Sequence, residues 1–179
     1  MCYAGSGARG ALELKPSLRD ATHVDKLIDV AELTGLANAI LSERESLQGN
    51  LFSVTSSQEN TAAVQEILRV GTSAGGARAK AVLAWNEKTG EFKSGQTATD
   101  EGFSHWLLKF DGVSNNSDKE LADPMGYGRI EYAYSLMAKE AGIVMMPCRL
   151  HEEGGRAHFM TKRFDRYEDG SKLHYQSLG

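Results

Sequence analysis

The chain has 179 residues, 41% of them hydrophobic and 25% charged, and a formal net charge of −4. That length serves one domain, or two small ones, around a real core. The acidic balance excludes a chain basic enough to coat nucleic acid or an anionic membrane, and no apolar run approaches the ~18 residues of a membrane span.

From the N-terminus, a Gly/Ala-rich stretch runs to Lys15 and lacks the basic and apolar regions of a signal peptide. The apolar residues Val24, Leu27, Ile28, Ala31, Leu36, Ala37, Ile40 and Leu41 recur at helical spacing, with acidic and basic residues between them. They predict a helix over about 23–46, capped by Thr22, with Gly35 as a possible interruption. Ser56-Ser57-Gln58-Glu59 offers capping chemistry for a second amphipathic helix through Leu68.

The period then changes. After the glycine-rich loop 71–79, Lys80–Asn86 reads as a strand, Glu87–Gly90 as a turn and Glu91–Ser94 as the returning strand of a hairpin. His105–Phe110 is an apolar strand with Lys109 embedded in it. Met125–Gly142 is the clearest helix of the second half, with a predicted buried stripe of Ile130, Ala133, Tyr134, Met137, Ala138 and Ala141 and with Gly142 at C′. Strands Val144–His151 and Arg156–Phe164 flank a turn at Glu152-Glu153-Gly154-Gly155, and Leu173–Ser177 is a last extended piece. Helices first, then an antiparallel sheet with one helix packed on it, is an α+β arrangement.

Two cysteines, Cys2 and Cys148, stand far apart and read as reduced thiols of a cytoplasmic protein. The histidines His23, His105, His151, His158 and His174 show no ligand spacing, so no metal site is expected.

The loop Val70–Lys80 is either a flexible joint or a cradle for an anion. Walker A fails because Ala77 stands where lysine is required, and the loop itself holds no G-x-G-x-x-G. What is left is a glycine-rich loop whose N–H groups can form an anion nest, followed by Arg78 and Lys80. Lys109, inside an apolar strand, either points to water from an edge or must pair, since an unpaired buried ammonium is costly. Glu131 is either a solvated helical carboxylate or the partner of Lys109 across the sheet–helix interface. Glycine loop, strand lysine and helix glutamate follow one another in the order of a protein-kinase N-lobe.

Gly75-Gly76-Ala77-Arg78-Ala79-Lys80, Leu107-Leu108-Lys109, Ile130-Glu131-Tyr132, Ala138-Lys139-Glu140-Ala141-Gly142 and Arg163-Phe164-Asp165-Arg166 resemble HipA-type serine/threonine kinases. These are the toxins of bacterial HipBA toxin–antitoxin modules. Gly10–Pro16 is similar to a segment ahead of the kinase core, so the likeness runs over nearly the whole chain. It implies a helical segment over 1–70 and a kinase-like N-lobe over 71–179, without the C-lobe and its catalytic and Mg²⁺-binding aspartates. ATP phosphates would lie under Gly75, Gly76, Ala77, Arg78, Ala79 and Lys80, with Lys109 contacting them and Glu131 holding Lys109. The backbone of Lys162, Arg163 and Phe164 would meet adenine, and Ser73 would be an autophosphorylated off-switch. The loop departs from the best-known family loop in carrying Arg78 and Ala79, and Lys162 stands where an acidic residue is common.

The expected function is the ATP-binding part of a kinase toxin that phosphorylates protein serine with Mg²⁺ in its full-length form, bacterial and cytoplasmic. Its expected partners are a HipB-like helix-turn-helix antitoxin and a protein substrate, with DNA reached only through the antitoxin. No catalytic residue is assigned in this chain, which is expected to be inactive alone. The alternative is a non-enzymatic module that binds an antitoxin or a dimer partner. A third reading is an unrelated α+β domain with a flexible loop.

Overall fold

The computed structural model describes residues 27–35, 37, 78–95, 101–113, 125–167, 169 and 171–175. The second predicted helix, through Leu68, lies outside them. Five strands form one antiparallel sheet in the order β2-β1-β3-β5-β4. They are β1 (Lys80–Asn86), β2 (Phe92–Ser94), β3 (Phe103–Lys109), β4 (Cys148–Glu153) and β5 (Arg156–Lys162), and one helix, α1 (Tyr127–Glu140), contacts β4 and β5. Among the described residues this mixed α+β arrangement, with one helix packed on the sheet, is compatible with a kinase-like N-lobe.

The strands stand close to where their alternation and turn residues put them. In the β1–β2 turn the Asn86 carbonyl accepts the Gly90 N–H at 2.8 Å, and its side-chain Oδ1 accepts those of Lys88 and Thr89. An ion pair between Arg149 and Glu87 links that turn to β4. Because successive side chains alternate, the sheet has two different faces. One carries Ala81, Leu83, Trp106, Leu108 and Met160, all buried in the apolar core with Phe92, Phe110 and Val113. The other carries Lys80, Val82, Ala84, Lys109 and Phe159, in the register that sets Lys80 opposite Lys109 and Lys109 opposite Phe159.

The core face is covered by a short helical stretch, residues 30–35 and 37, through Val30, Leu33 and Ala37. Its start and phase differ from expectation. Residues 27–29 are not helical, because the Ile28 N–H donates to the Phe92 carbonyl at 2.7 Å on the edge of the sheet. Asp29 caps this stretch, its Oδ1 accepting the Ala31 N–H at 2.9 Å, and Thr22, the expected cap, lies outside the described residues. Leu27 and Ala31, counted among the apolar residues at helical spacing, are exposed.

β4 also begins later than expected, at Cys148 rather than Val144. Pro147 has no N–H to give a ladder, though its carbonyl accepts the Lys162 N–H at 2.9 Å, and Val144 is fully exposed. β5 ends at Lys162, short of Phe164. Beyond it the chain turns, with Arg166 bridged to Lys172, and residues 173–175 form no strand.

α1 ends as expected. The Gly142 N–H donates to the Lys139 carbonyl and the Ile143 N–H to that of Ala138, with Gly142 at φ 79°, a Schellman closure that only glycine adopts without strain. The buried face, however, is not the predicted one. Ile130, Tyr134 and Met137 are 49%, 65% and 61% exposed, and Ala133 and Ala141 are exposed as well. Of that stripe Ala138 alone is partly covered, and Gly128 and Ser135 are the buried residues. The helix is rolled so that Gly128, Glu131 and Ser135 meet the sheet. A β-carbon added at Gly128 would run into the Ala157 carbonyl and lie 3.2 Å from the Phe159 nitrogen.

Gly128→Ala tests that contact. Helix propensity alone favours alanine by about 1 kcal/mol, but the clash should reverse the sign and destabilise the protein by about 1–3 kcal/mol. Urea denaturation measures the difference.

Candidate functional site

The lysine in the apolar strand is paired. Lys109 Nζ, at the end of β3, donates to Glu131 Oε2 of α1 at 2.7 Å, and Glu131 Oε1 lies 3.8 Å from Arg78 Nη1. The Arg78 guanidinium also lies over the Tyr127 ring, 3.5 Å from its centroid, and Lys109 Nζ stands 5.7 Å from the Phe159 centroid. Two cations thus share one carboxylate, and Lys80 enters β1 directly opposite Lys109. The three charged groups of this contact are a quarter to a third exposed, so their attraction is solvent-screened and contributes about 0–1 kcal/mol to stability.

The other assigned residues fall in three places. Ser73, Gly75, Gly76 and Ala77 lie outside the described residues. Ala79 is buried in the core, and its carbonyl accepts the Phe110 N–H at 3.1 Å, so its side chain faces away from Lys80 and Lys109. At the far end of β5 the Lys162 and Arg163 N–H groups donate to the Pro147 and His105 carbonyls, both at 2.9 Å, and neither can serve adenine as well. Phe164 is 49% exposed and meets Tyr175 edge-on at 4.9 Å.

Arg163-Phe164-Asp165-Arg166 has its own internal chemistry. Arg163 Nε and Nη2 donate to the two oxygens of Asp165 at 2.8 and 2.6 Å, and Arg166 Nη1 donates to Asp165 Oδ2 at 3.0 Å. Burial, and then the neighbouring Arg163, pushes Arg166 below its ordinary pKa against the pull of Asp165. This fork of two guanidiniums on one carboxylate fixes the chain as it leaves β5.

Asp111, two residues beyond β3, was assigned no role from the sequence. It is buried, and its carboxylate accepts the N–H groups of Gly126 at 2.9 and 3.0 Å and of Gly128 at 3.3 Å. It supplies from beyond the end of β3 what α1 lacks, since the helix has no acidic residue in its first turn and no side-chain cap. That lack was the available signal: a helix opening Met125-Gly126-Tyr127-Gly128 needs an acceptor from elsewhere.

Among the described residues, no cluster of three or more histidine, cysteine, aspartate or glutamate side chains could hold a metal ion. No described helix is long and apolar enough to cross a membrane. A basic edge after a glycine-rich loop, with its lysine oriented by a helix glutamate, can bind a polyanion.

A scan against family models matches residues 72–179 to the HipA-like C-terminal domain. The chain belongs to that family. No curated protein and no solved structure matches it. The family match begins within the glycine-rich loop and takes in β1 to β5, α1, Lys109 and Glu131. Gly10–Pro16 lies ahead of it.

Two variants separate the roles of the two ends. Lys109→Ala should change stability by less than about 1 kcal/mol, as expected of a screened pair. Asp165→Asn should cost about 3 kcal/mol or more, because it takes the Asp165 charge from two buried guanidiniums. Equilibrium denaturation of both reads the contrast.

Proposed function

We propose that this chain is the ATP-binding part of a HipA-like serine/threonine kinase of a toxin–antitoxin module. The observation that carries the reading is the 2.7 Å pair between Lys109 and Glu131 across the sheet–helix interface, within the stretch matched by the family. Glu131 orients the ammonium, and Lys109 then presents fixed N–H donors and a positive charge to phosphate oxygens. Arg78 and Lys80, at the end of the loop, add charge on the same side of the sheet. In this reading the loop residues Gly75, Gly76 and Ala77 would cover the phosphates, while Val82 and Ala84, on the Lys109 face of β1, are buried. The exposed Phe164 borders the base.

The family's reaction moves the γ-phosphoryl group of ATP to a protein serine hydroxyl. This chain's residues bind and orient ATP for that transfer. The described donors suit a polyanion and not Mg²⁺: Glu131 is engaged by Lys109 and Arg78, and no set of oxygen ligands stands beside it. Phosphorylation of Ser73 would put about two negative charges into the loop that receives phosphate and so weaken binding.

Calorimetric titration with ATP, with and without Mg²⁺, tests the reading. Binding is expected for the native chain and should weaken about tenfold or more in Lys109→Ala, the loss of one charge-assisted contact. Equal affinity in that variant would overturn the assignment of Lys109.

A second reading is supported by the exposed apolar side chains Ile130, Tyr134, Met137 and Val144. It takes the chain as a non-enzymatic module that binds an antitoxin or a dimer partner. Co-purification with a helix-turn-helix protein, together with no thermal shift on adding ATP, would select it.

A further inference from the structure

Asp111 is bonded on every side. Besides the N-terminal amides of α1, its carboxylate accepts the Ala157 N–H at 3.4 Å, and Arg156 Nη1 donates to the Asp111 and Gly112 carbonyls at 2.9 and 2.8 Å. Its own N–H donates to His158 Nδ1 at 2.9 Å. That last bond sets the tautomer. A nitrogen accepting from an N–H must itself be bare, so neutral His158 carries its proton on Nε2, which faces Glu153 Oε1 at 3.0 Å. The imidazole is fully buried, stacked on His151 at 6.3 Å and edged by Phe110 at 5.7 Å.

We propose that His158 and Asp111 form a proton-sensitive positioning pair for α1. With Nδ1 of His158 bare, Asp111 stays where its carboxylate fastens the helix N-terminus, and Glu131 stays in reach of Lys109. A proton taken up at Nδ1 points one N–H at another, breaks the 2.9 Å bond and loosens the first turn of α1. His158 touches neither Lys109 nor Glu131 in this scheme, and acts on them only through Asp111 and the helix.

The groups facing His158 set the direction. They are Glu153 and His151 from β4, Asp111 from beyond β3 and Arg156 from its own strand, with Asp29 of the covering segment acting on His151. Burial pushes His158 below the ordinary histidine range, against the pull of Glu153 and Asp111 and with a smaller push from Arg156. His151 is lowered too, first by burial and then by His158. A lowered folded-state pKa means that the arrangement is fully stable above the ordinary histidine value and weakens as pH falls toward the folded one. The sensitive range therefore lies on the acid side of neutrality.

The consequence for nucleotide binding rests on the function proposed above, but the positioning itself does not, so the test uses the full chain without nucleotide. Two readouts are taken from pH 7.5 to about 5.5. One is the imidazole ¹⁵N shift of His158. The other is hydrogen exchange of the 126–131 amides, corrected for intrinsic rates. At pH 7.5 the shift should report the Nε2–H tautomer. On acidification, protection at 126–131 should fall, before the sheet opens, by up to about tenfold per pH unit, the slope of a single proton. His158→Asn offers an oxygen acceptor near the place of Nδ1 and should flatten that slope. An Nδ1–H tautomer, a flat profile in the native chain, or an unchanged slope in His158→Asn would each overturn the proposal. Failure of ATP to bind would leave these readouts unmoved and would count against the proposed function alone.

Discussion

The close approach of α1 to β5 is the constraint on which the rest of the site depends. Only a glycine at position 128 lets the helix backbone come so near Ala157. Once it is there, the roll of the helix is set, and Glu131 is delivered to Lys109. The same roll leaves Ile130, Tyr134 and Met137 outside, although burying each would be worth about 1.5–3 kcal/mol. Opposing that gain is a buried carboxylate with several donors, and hydrogen bonds to a charged group contribute about 1.5–3 kcal/mol apiece. Turning the helix to bury its apolar stripe would take the Gly126 and Gly128 amides from the Asp111 carboxylate. Among the described residues, polar anchoring decides the orientation of this helix.

That balance explains what was legible in the sequence and what was not. β1 was legible to the residue because apolar alternation and the Asn86–Gly90 turn are local signals, each satisfied within a few residues of itself. The Lys109–Glu131 pair was legible because a lysine in an apolar strand demands a counter-charge. The stripe on α1 was misread because periodicity reports which residues share a face, not which face meets the sheet. The N-terminal helical stretch was misphased for a related reason. The Ile28 amide is held by Phe92, a residue 64 positions later, and that distant bond delays the helix until Val30.

Burial also explains why histidines without metal-ligand spacing still carry structural weight. His151 and His158 oppose each other in adjacent strands and project into the same apolar layer as Phe92 and Phe110. Glu153, on the same face, meets His158 and lies 3.2 Å from the Thr34 hydroxyl of the covering segment. This polar seam inside an apolar core has each partner specified, which is the condition for such a network to hold one arrangement instead of several.

Asp111 and Asp165, the aspartates buried among the described residues, follow the same local pattern, Lys109-Phe110-Asp111 at the end of β3 and Arg163-Phe164-Asp165 after β5. In both, the chain leaves a strand and the carboxylate is folded back to bind what comes next: helix amides at one end, two guanidiniums at the other. Since β3 and β5 are antiparallel neighbours, these anchors stand at opposite ends of the sheet centre. The intervening phenylalanines differ, Phe110 being buried in the core and Phe164 half exposed. An identical Phe-Asp pair therefore yields a core residue at one end and a surface ring at the other. Asp165 finds its guanidiniums one and two residues away, and such partners can be anticipated from sequence; Asp111 draws its donors from 15 to 46 residues away, and these, like the fate of each ring, depend on what the fold brings over it.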